Sequence, residues 1–284
     1  MTAAATTSRI GVDGAQLHVA EAGPPDGPAV VVLHGICGVH DGVLDVDVIL
    51  RAGMRVIAYD ARAHGRSSRS VNSTDYSYAG LAADLEAVLD ALDVYQPVLV
   101  GASMGALTAI RLLLDDPRRA RALVAVTPAF DPSASLTAQD RRRAGRFIAA
   151  LRSGDLATIE AADPLAGDVP AITSGMRKLL GARMRAHQDL DALADAIAAL
   201  INDSAFDDLK DLRRLGMPCL VVGSHDEWDV LHPHRIAVAY AETIPRSDFV
   251  CEEPGHPPLA WRPRRLARAI VGFSDSLNPS ESSR

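Results

Sequence analysis

The sequence has few cysteines, no long apolar run and no excess of positive charge. Its 284 residues include three cysteines, an odd number that argues against a disulfide framework and favours a reducing compartment. No apolar stretch reaches the roughly 18 residues of a membrane-spanning helix. The formal net charge is −7, whereas proteins that bind nucleic acids or anionic membranes usually carry an excess of positive charge. We therefore expect neither nucleic acid nor membrane as a partner.

The beginning of the chain, MTAAATTSR, also lacks the charged segment followed by an apolar segment that marks a secretory signal. This predicts a cytoplasmic protein. The composition, 48% hydrophobic and 23% charged, is that of an ordinary globular protein. One large α/β domain with an insertion fits the length.

Short apolar runs recur along the chain and predict strands that are buried on both faces. Between them the hydrophobic period changes to that of helices, as at Leu81, Leu85 and Leu92. The pair Asp13-Gly14 predicts a hairpin before the first run. Alternation of strands and helices predicts an α/β fold with a mostly parallel sheet covered by helices on both faces. The predicted strands are Ala29–Leu33, Arg55–Tyr59, Val98–Val100, Ala122–Val126, Cys219–Val222 and a weaker Phe249–Cys251.

The alternation stops near Phe130 and resumes at Cys219. Residues 131–215 show helical segments and no convincing strand, which predicts a helical cap inserted into the sheet domain. The predicted organisation is a core of residues 1–130 and 216–284 with a cap of residues 131–215.

The sharpest local motif is Gly101-Ala-Ser103-Met104-Gly105, which follows a predicted strand and opens a predicted helix. This is G-x-S-x-G in its strand–turn–helix setting, where the tight turn needs small residues two positions before and after the serine. The turn projects the Ser103 hydroxyl above the sheet, at the positive end of the helix. Ser103 is therefore the predicted nucleophile.

A second motif, His34-Gly35-Ile36, directly follows the strand Ala29–Leu33. A loop in this place can aim a backbone N–H at a carbonyl under attack. We predict that the N–H groups of Ile36 and Met104 form an oxyanion hole. For His34 we expect a structural role in holding the loop.

A third motif, Asp60-Ala-Arg-Ala63-His64-Gly-Arg-Ser67, follows the strand Arg55–Tyr59. We interpret it as a loop braced by an ion pair between its aspartate and an arginine. Together the three motifs resemble the α/β-hydrolase fold family, over roughly residues 16–273. One departure is Ala63, where the family usually has glycine. Family order is serine, then acid after the seventh strand, then histidine after the eighth.

That resemblance implies the remaining two members of a catalytic triad. Pro254-Gly255-His256 follows the last predicted strand, and glycine before the histidine is the family pattern, so His256 is the predicted base. Two aspartates in the preceding loop are candidates for the acid of the triad. Asp226 has the usual family distance from the strand end at Gly223, whereas Asp229 has the usual distance from Pro233. We favour Asp229, because the proline starts the next helix and fixes the register of the loop.

The function implied is that of a serine hydrolase acting on a small ester, lactone or thioester, with no cofactor. Serine in the turn of the G-x-S-x-G motif argues against epoxide hydrolases and haloalkane dehalogenases, which need a carboxylate nucleophile at that position. Two alternatives stay open. One is a C–C bond hydrolase or a non-hydrolytic acyl-transfer or cyclising enzyme of the same fold, and the other is a ligand receptor without turnover.

The pair His232-Pro-His234 lacks a third ligand at recognisable spacing, so we expect this pair to form the surface of a helix start and no metal site. The expected partner is a small-molecule substrate, with a homodimer possible.

Overall fold

The computed structural model describes residues 5–133, 136–162, 180–225, 229 and 231–277. Its central feature is a sheet of eight strands. They are β1 (Thr6–Val12), β2 (Ala15–Ala22), β3 (Ala29–Leu33), β4 (Arg55–Tyr59), β5 (Val98–Ala102), β6 (Ala122–Val126), β7 (Cys219–Val222) and β8 (Ser247–Val250). Their order across the sheet is β1-β2-β4-β3-β5-β6-β7-β8. Strand β2 pairs antiparallel with β1 on one side and with β4 on the other. The remaining neighbours in this order pair in parallel.

The apolar runs of the sequence become the middle of this sheet. Strands β3 and β6 have the predicted bounds, and every residue of β6 is buried. The predicted hairpin joins β1 to β2, with Val12 paired to Ala15 and Gly14 at a φ of 71°, a conformation that glycine adopts without strain. The fold class predicted from the sequence is confirmed.

Helices cover both faces of the sheet and bury two apolar clusters against it. The helices are α1 (Val46–Arg51), α2 (Tyr78–Ala91), α3 (Met104–Asp115), α4 (Ala138–Ser153), α5 (Leu156–Ala161), α6 (Leu190–Leu200), α7 (His234–Thr243) and α8 (Pro263–Ser276). Helices α2, α3 and α7 pack against one face of the sheet, and α1 and α8 pack against the other. Within the described ranges, each helix is too short or too polar to cross a bilayer.

Helices α4, α5 and α6, with a further helical turn at 180–185, lie between β6 and β7 in the chain. We refer to residues 136–162 and 180–201 as the helical insertion. Helix α4 begins with a capping box of Thr137 and Asp140 and is capped at its C-terminus by Gly154, whose φ is 67°. The insertion has its own buried cluster, which includes Phe147, Leu193 and, from the sheet domain, Cys37. The assignment of residues 131–215 as a separate cap stays a prediction.

Candidate active site

Ser103 lies at the sharp turn between β5 and α3. Its φ of 50° and ψ of −110° are strained for a residue with a side chain. The turn is possible because Gly101 and Gly105 have no side chains: a Cβ on Gly101 would collide with the backbone of Gly105, and one on Gly105 with the carbonyl of Leu33. The geometry is that of the strand–turn–helix elbow that the motif predicts.

A histidine from the loop after β7 contacts the Ser103 hydroxyl, and an aspartate from the same loop contacts the histidine. His232 Nε2 lies 2.9 Å from Ser103 Oγ. On the other side of the ring, His232 Nδ1 lies 2.9 and 2.8 Å from the two carboxylate oxygens of Asp229. The carboxylate therefore fixes the proton on Nδ1 and leaves Nε2 to accept the Ser103 proton. A hydroxyl, an imidazole and a carboxylate in this series can activate an oxygen nucleophile.

The carboxylate of Asp229 is almost fully buried, whereas the His232 side chain is 21% exposed. Asp229 also accepts a hydrogen bond from the backbone N–H of Leu231 at 3.3 Å. Burial strengthens the attraction between an aspartate and an imidazole that gains a proton. The imidazole still reaches the surface, from which a substrate can approach Ser103.

The structure does not bring His256 to Ser103. His256 is exposed in a turn after β8, in which its backbone N–H bonds to the Glu253 carbonyl at 3.1 Å and Gly255 adopts a φ of 79°. The position that the family pattern gave to His256 is taken by His232. Asp226, the rival acid, lies outside the described residues.

The sequence pattern does not identify His232 as a site residue and predicts for it the surface of a helix start. The available signal was the spacing Asp229-x-x-His232 in the same loop that was expected to supply the acid. A turn that starts at the aspartate brings a side chain three residues later back to it.

The loop at 34–38 lies directly against the elbow. A Cβ placed on Gly35 would lie 3.4 Å from Ser103 Cβ and 3.3 Å from the Ala102 carbonyl oxygen, in close contact. The next residue is Ile36, and Met104 is the first residue of α3, where backbone N–H groups have no partner within the helix. The oxyanion-hole roles of Ile36 and Met104 stay a prediction.

His34 holds this loop from inside. Its Nε2 accepts a hydrogen bond from the Ala61 backbone N–H at 3.0 Å, and its Nδ1 donates to the Gly35 carbonyl at 2.8 Å. Burial lowers the pKa of His34 to about 4, so the ring is neutral at pH 7. A structural role for His34 is what the sequence predicts.

The loop after β4 is braced differently from the expectation. Asp60 accepts hydrogen bonds from the His40 backbone N–H at 2.7 Å, the His40 ring at 2.9 Å and the Arg66 backbone N–H at 2.8 Å. Although burial raises the pKa of Asp60, these hydrogen bonds lower it to about 2. The guanidinium of Arg62 instead pairs with Asp84 on α2, at 2.6 and 2.7 Å. The expected pairing of the loop aspartate with an arginine is therefore wrong, because backbone N–H groups and a histidine already fill its carboxylate.

His187 ties the helical insertion to the site. Its Nδ1 accepts a hydrogen bond from the Gly65 backbone N–H at 2.9 Å. Its Nε2 lies 3.2 Å from the Cys37 carbonyl oxygen, to which it donates. Cys37 directly follows Ile36, so the insertion is fastened to the loop that carries the predicted oxyanion donor. Nothing in the sequence pattern singled out His187.

Two groups of side chains among the described residues have the composition of a metal site. His18, His40 and Asp60 form the first, but the Asp60 carboxylate already accepts hydrogen bonds from His40 and from the Arg66 backbone N–H. The second, His225, His234 and Cys251, lies beside the loop that carries Asp229 and His232.

Comparison with known proteins decides the family. The model of the α/β hydrolase fold family matches residues 28–168, which include Ser103 and both loops that surround it. The chain belongs to the α/β-hydrolase superfamily. A hydrolase from Pseudomonas aeruginosa PA01 of known structure superposes on this α/β-hydrolase chain with a TM-score of 0.74, covering 97% of this chain and 99% of the other at 24% identity.

Curated relatives match mainly over part of their length. The sn-1-specific diacylglycerol lipase ABHD11 of Mus musculus is 36% identical over 131 residues, which are 45% of this α/β-hydrolase chain and 40% of that protein. The alignments to the first relatives span less than half of those proteins. A longer match is RutD of Pseudomonas syringae pv. syringae (strain B728a), 28% identical over 87% of this chain and 94% of that protein.

Proposed function

We propose that this protein is a serine hydrolase for a small ester, lactone or thioester, with Ser103 as nucleophile, His232 as general base and Asp229 as the acid of the triad. The observation that carries the proposal is the His232 imidazole, which contacts the Ser103 hydroxyl and the Asp229 carboxylate at the same time. The strained serine turn supports the same conclusion, since it presents the hydroxyl at the helix N-terminus.

In the first half-reaction Ser103 Oγ attacks the substrate carbonyl while His232 Nε2 takes its proton. Asp229 holds the ring in the correct tautomer and stabilises the imidazolium that forms. The N–H groups of Ile36 and Met104 bind the developing oxyanion, each donor being worth about 3–4 kcal/mol. The protonated His232 then gives its proton to the leaving alcohol or thiol. In a lactone the alcohol stays attached to the acyl group.

In the second half-reaction water attacks the acyl-enzyme. His232 Nε2 takes a proton from that water and returns it to Ser103 Oγ, which restores the starting enzyme. The helical insertion shapes the acyl pocket in this proposal, because it is fastened to the oxyanion loop through His187 and packs against Ile36. A relative that is a lipase for diacylglycerol supports a carboxylic ester as the substrate class.

The test combines a fluorophosphonate probe with a substrate panel of short acyl esters, lactones and thioesters. We expect the probe to label the protein on Ser103, as located by mass spectrometry of the tryptic peptide, and at least one panel member to be hydrolysed. Ser103→Ala should abolish both signals while the far-ultraviolet circular dichroism stays unchanged. Labelling without turnover of any panel member would favour the C–C bond or acyl-transfer alternative. Absence of labelling would contradict the proposal and favour a ligand receptor.

A further inference from the structure

Three potential metal ligands surround the two ends of the loop that carries Asp229 and His232. His225 lies three residues beyond the end of β7, His234 is the first residue of α7, and Cys251 is the first residue after β8. One ligand atom from each lies within 4.8 Å of the other two. The parallel pairing of β7 with β8 brings these chain segments together at the carboxyl edge of the sheet.

The side chains of this group are already in mutual contact. The rings of His225 and His234 stack with their centroids 4.8 Å apart, and Cys251 Sγ lies 3.9 Å from His234 Nδ1. The ring of Phe249 packs edge-on against His234 at 5.8 Å, which limits where the imidazole can move. All three ligand residues are half-buried, so an ion can reach them from solvent.

This spacing is close to what a tetrahedral zinc ion needs. Zinc–sulfur and zinc–nitrogen bonds of about 2.3 and 2.0–2.1 Å place neighbouring ligand atoms about 3.3–3.6 Å apart. The ligand atoms must therefore approach one another by up to about 1.5 Å, and one stacked ring must turn about its Cβ–Cγ bond so that both nitrogen lone pairs face the ion.

A carboxylate beside the group holds its backbone in place. Glu252 accepts hydrogen bonds from the His225 backbone N–H at 2.6 Å and from the Leu259 backbone N–H at 3.2 Å, as well as from Ser224 Oγ at 3.2 Å. The carboxylate thus connects the segment after β7 to the segment after β8. It fixes the distance between His225 and Cys251 before any ion arrives.

We propose that His225, His234 and Cys251 form a binding site for one thiophilic divalent cation, with Zn²⁺ the best match. Two imidazoles and a thiolate suit Zn²⁺, whereas Mg²⁺ and Ca²⁺ prefer oxygen ligands. The three ligands leave a fourth coordination position for water. Binding displaces the thiol proton to solvent. The ion links both ends of the loop to the residue that follows β8 and thereby stabilises the folded state. This inference does not depend on the proposed hydrolase activity.

The experiment uses Co²⁺ as a spectroscopic probe for this site in the full-length protein, with its thiols kept reduced. We expect a thiolate-to-cobalt charge-transfer band that saturates at one equivalent and disappears when Zn²⁺ is added. Zn²⁺ should raise the melting temperature of the protein. Cys251→Ser should remove the charge-transfer band, and His225→Asn and His234→Asn should each weaken Co²⁺ binding at least tenfold.

Two control variants separate this site from other thiols and imidazoles. Cys219→Ala removes a buried thiol of β7, and His256→Asn removes an exposed imidazole that lies near the site in sequence. Both should bind Co²⁺ as the unmodified protein does. The proposal is overturned if no charge-transfer band forms, if the band survives Cys251→Ser, or if His225→Asn and His234→Asn bind Co²⁺ with unchanged affinity.

Discussion

Asp229 and His232 lie three residues apart in one loop and meet through both carboxylate oxygens, at 2.8 and 2.9 Å from Nδ1. The acid and the base of the candidate triad are therefore positioned by the same short segment between β7 and α7. In the family pattern the two come from different loops. The catalytic geometry here then depends on one loop and on the elbow that it faces.

The first prediction concerns the acid. Asp229→Asn keeps the shape of the side chain but can hold the wrong tautomer of His232, so it should lower kcat roughly 10²–10⁴-fold. Asp226→Asn serves as the control in the same loop and should lower kcat less than about tenfold. Both variants are compared at matched thermal stability. A large loss in Asp226→Asn together with a small one in Asp229→Asn would move the acid role to Asp226.

The second prediction concerns the attachment of the helical insertion. His187→Ala leaves the Gly65 N–H and the Cys37 carbonyl without their buried partner, so it should cost about 1–3 kcal/mol of stability per unsatisfied group. It should also speed hydrogen exchange at the backbone amides of Gly65 and Gln188, because Gln188 N–H bonds to the Gly65 carbonyl at 2.9 Å.

Arg69→Ala is the matched control for that variant. The Arg69–Asp189 ion pair also joins the sheet domain to the insertion, at 2.7 Å, but it is exposed, and exposed ion pairs contribute little. If Arg69→Ala accelerates exchange at Gly65 and Gln188 as much as His187→Ala does, the buried histidine is not the principal attachment.

The third prediction is a loss of stability in mild acid. Burial lowers the pKa values of His34, to about 4, and of His64 and His187. Below pH 6.5 the unfolded chain gains protons that the folded protein does not, so stability falls as the pH drops from about 6.5 toward 4. His34 alone accounts for about 3 kcal/mol over that range. His40, whose pKa its hydrogen bond to Asp60 raises, acts in the opposite direction.

Urea unfolding at pH 7.5 and pH 5 measures this effect. The unfolding free energy should be lower at pH 5, and the difference should shrink in His187→Gln, which removes one of the three imidazoles. Equal stability at the two pH values would show that these rings take up protons in the folded protein without cost.

The fourth prediction concerns the loop after β4, in which the Asp60 carboxylate accepts several hydrogen bonds. Gly65 has a φ of 52°, and a Cβ there would overlap the Asp60 carboxylate. Gly65→Ala should therefore destabilise the protein by roughly 1–3 kcal/mol or more. Gly145→Ala is the control: it lies inside α4 with open space around it, and should stabilise by about 0.5–1 kcal/mol. Chemical denaturation of both variants gives the comparison, and a Gly65→Ala variant as stable as the parent would refute the steric argument.

The features predicted correctly from the sequence are those that depend on neighbouring residues. The elbow at Ser103 needs only a strand, two glycines and a helix, all within one short segment. Strand β6 was predicted with its observed bounds, because an unbroken apolar run can be accommodated only between two covered faces of a sheet.

The partners of Ser103 depend on how distant loops turn, which local patterns do not encode. His256 follows glycine as the family pattern requires, yet its segment forms an exposed turn. His232 reaches Ser103 because the loop after β7 folds back on Asp229. His187 contacts Gly65 across 122 positions of sequence, a relationship that only the packed structure reveals.

The assignment of His232 as the base is tested by comparing two histidines in one hydrolase assay. His232→Gln and His256→Gln are assayed beside Ser103→Ala on whichever ester, lactone or thioester the unmodified protein hydrolyses fastest. We expect His232→Gln to lower kcat about as much as Ser103→Ala, roughly 10³–10⁶-fold, because the triad acts as a unit. His256→Gln should leave kcat unchanged within error. A large loss in His256→Gln with near-normal turnover in His232→Gln would contradict the role of His232 as the base and assign that role to the loop after β8.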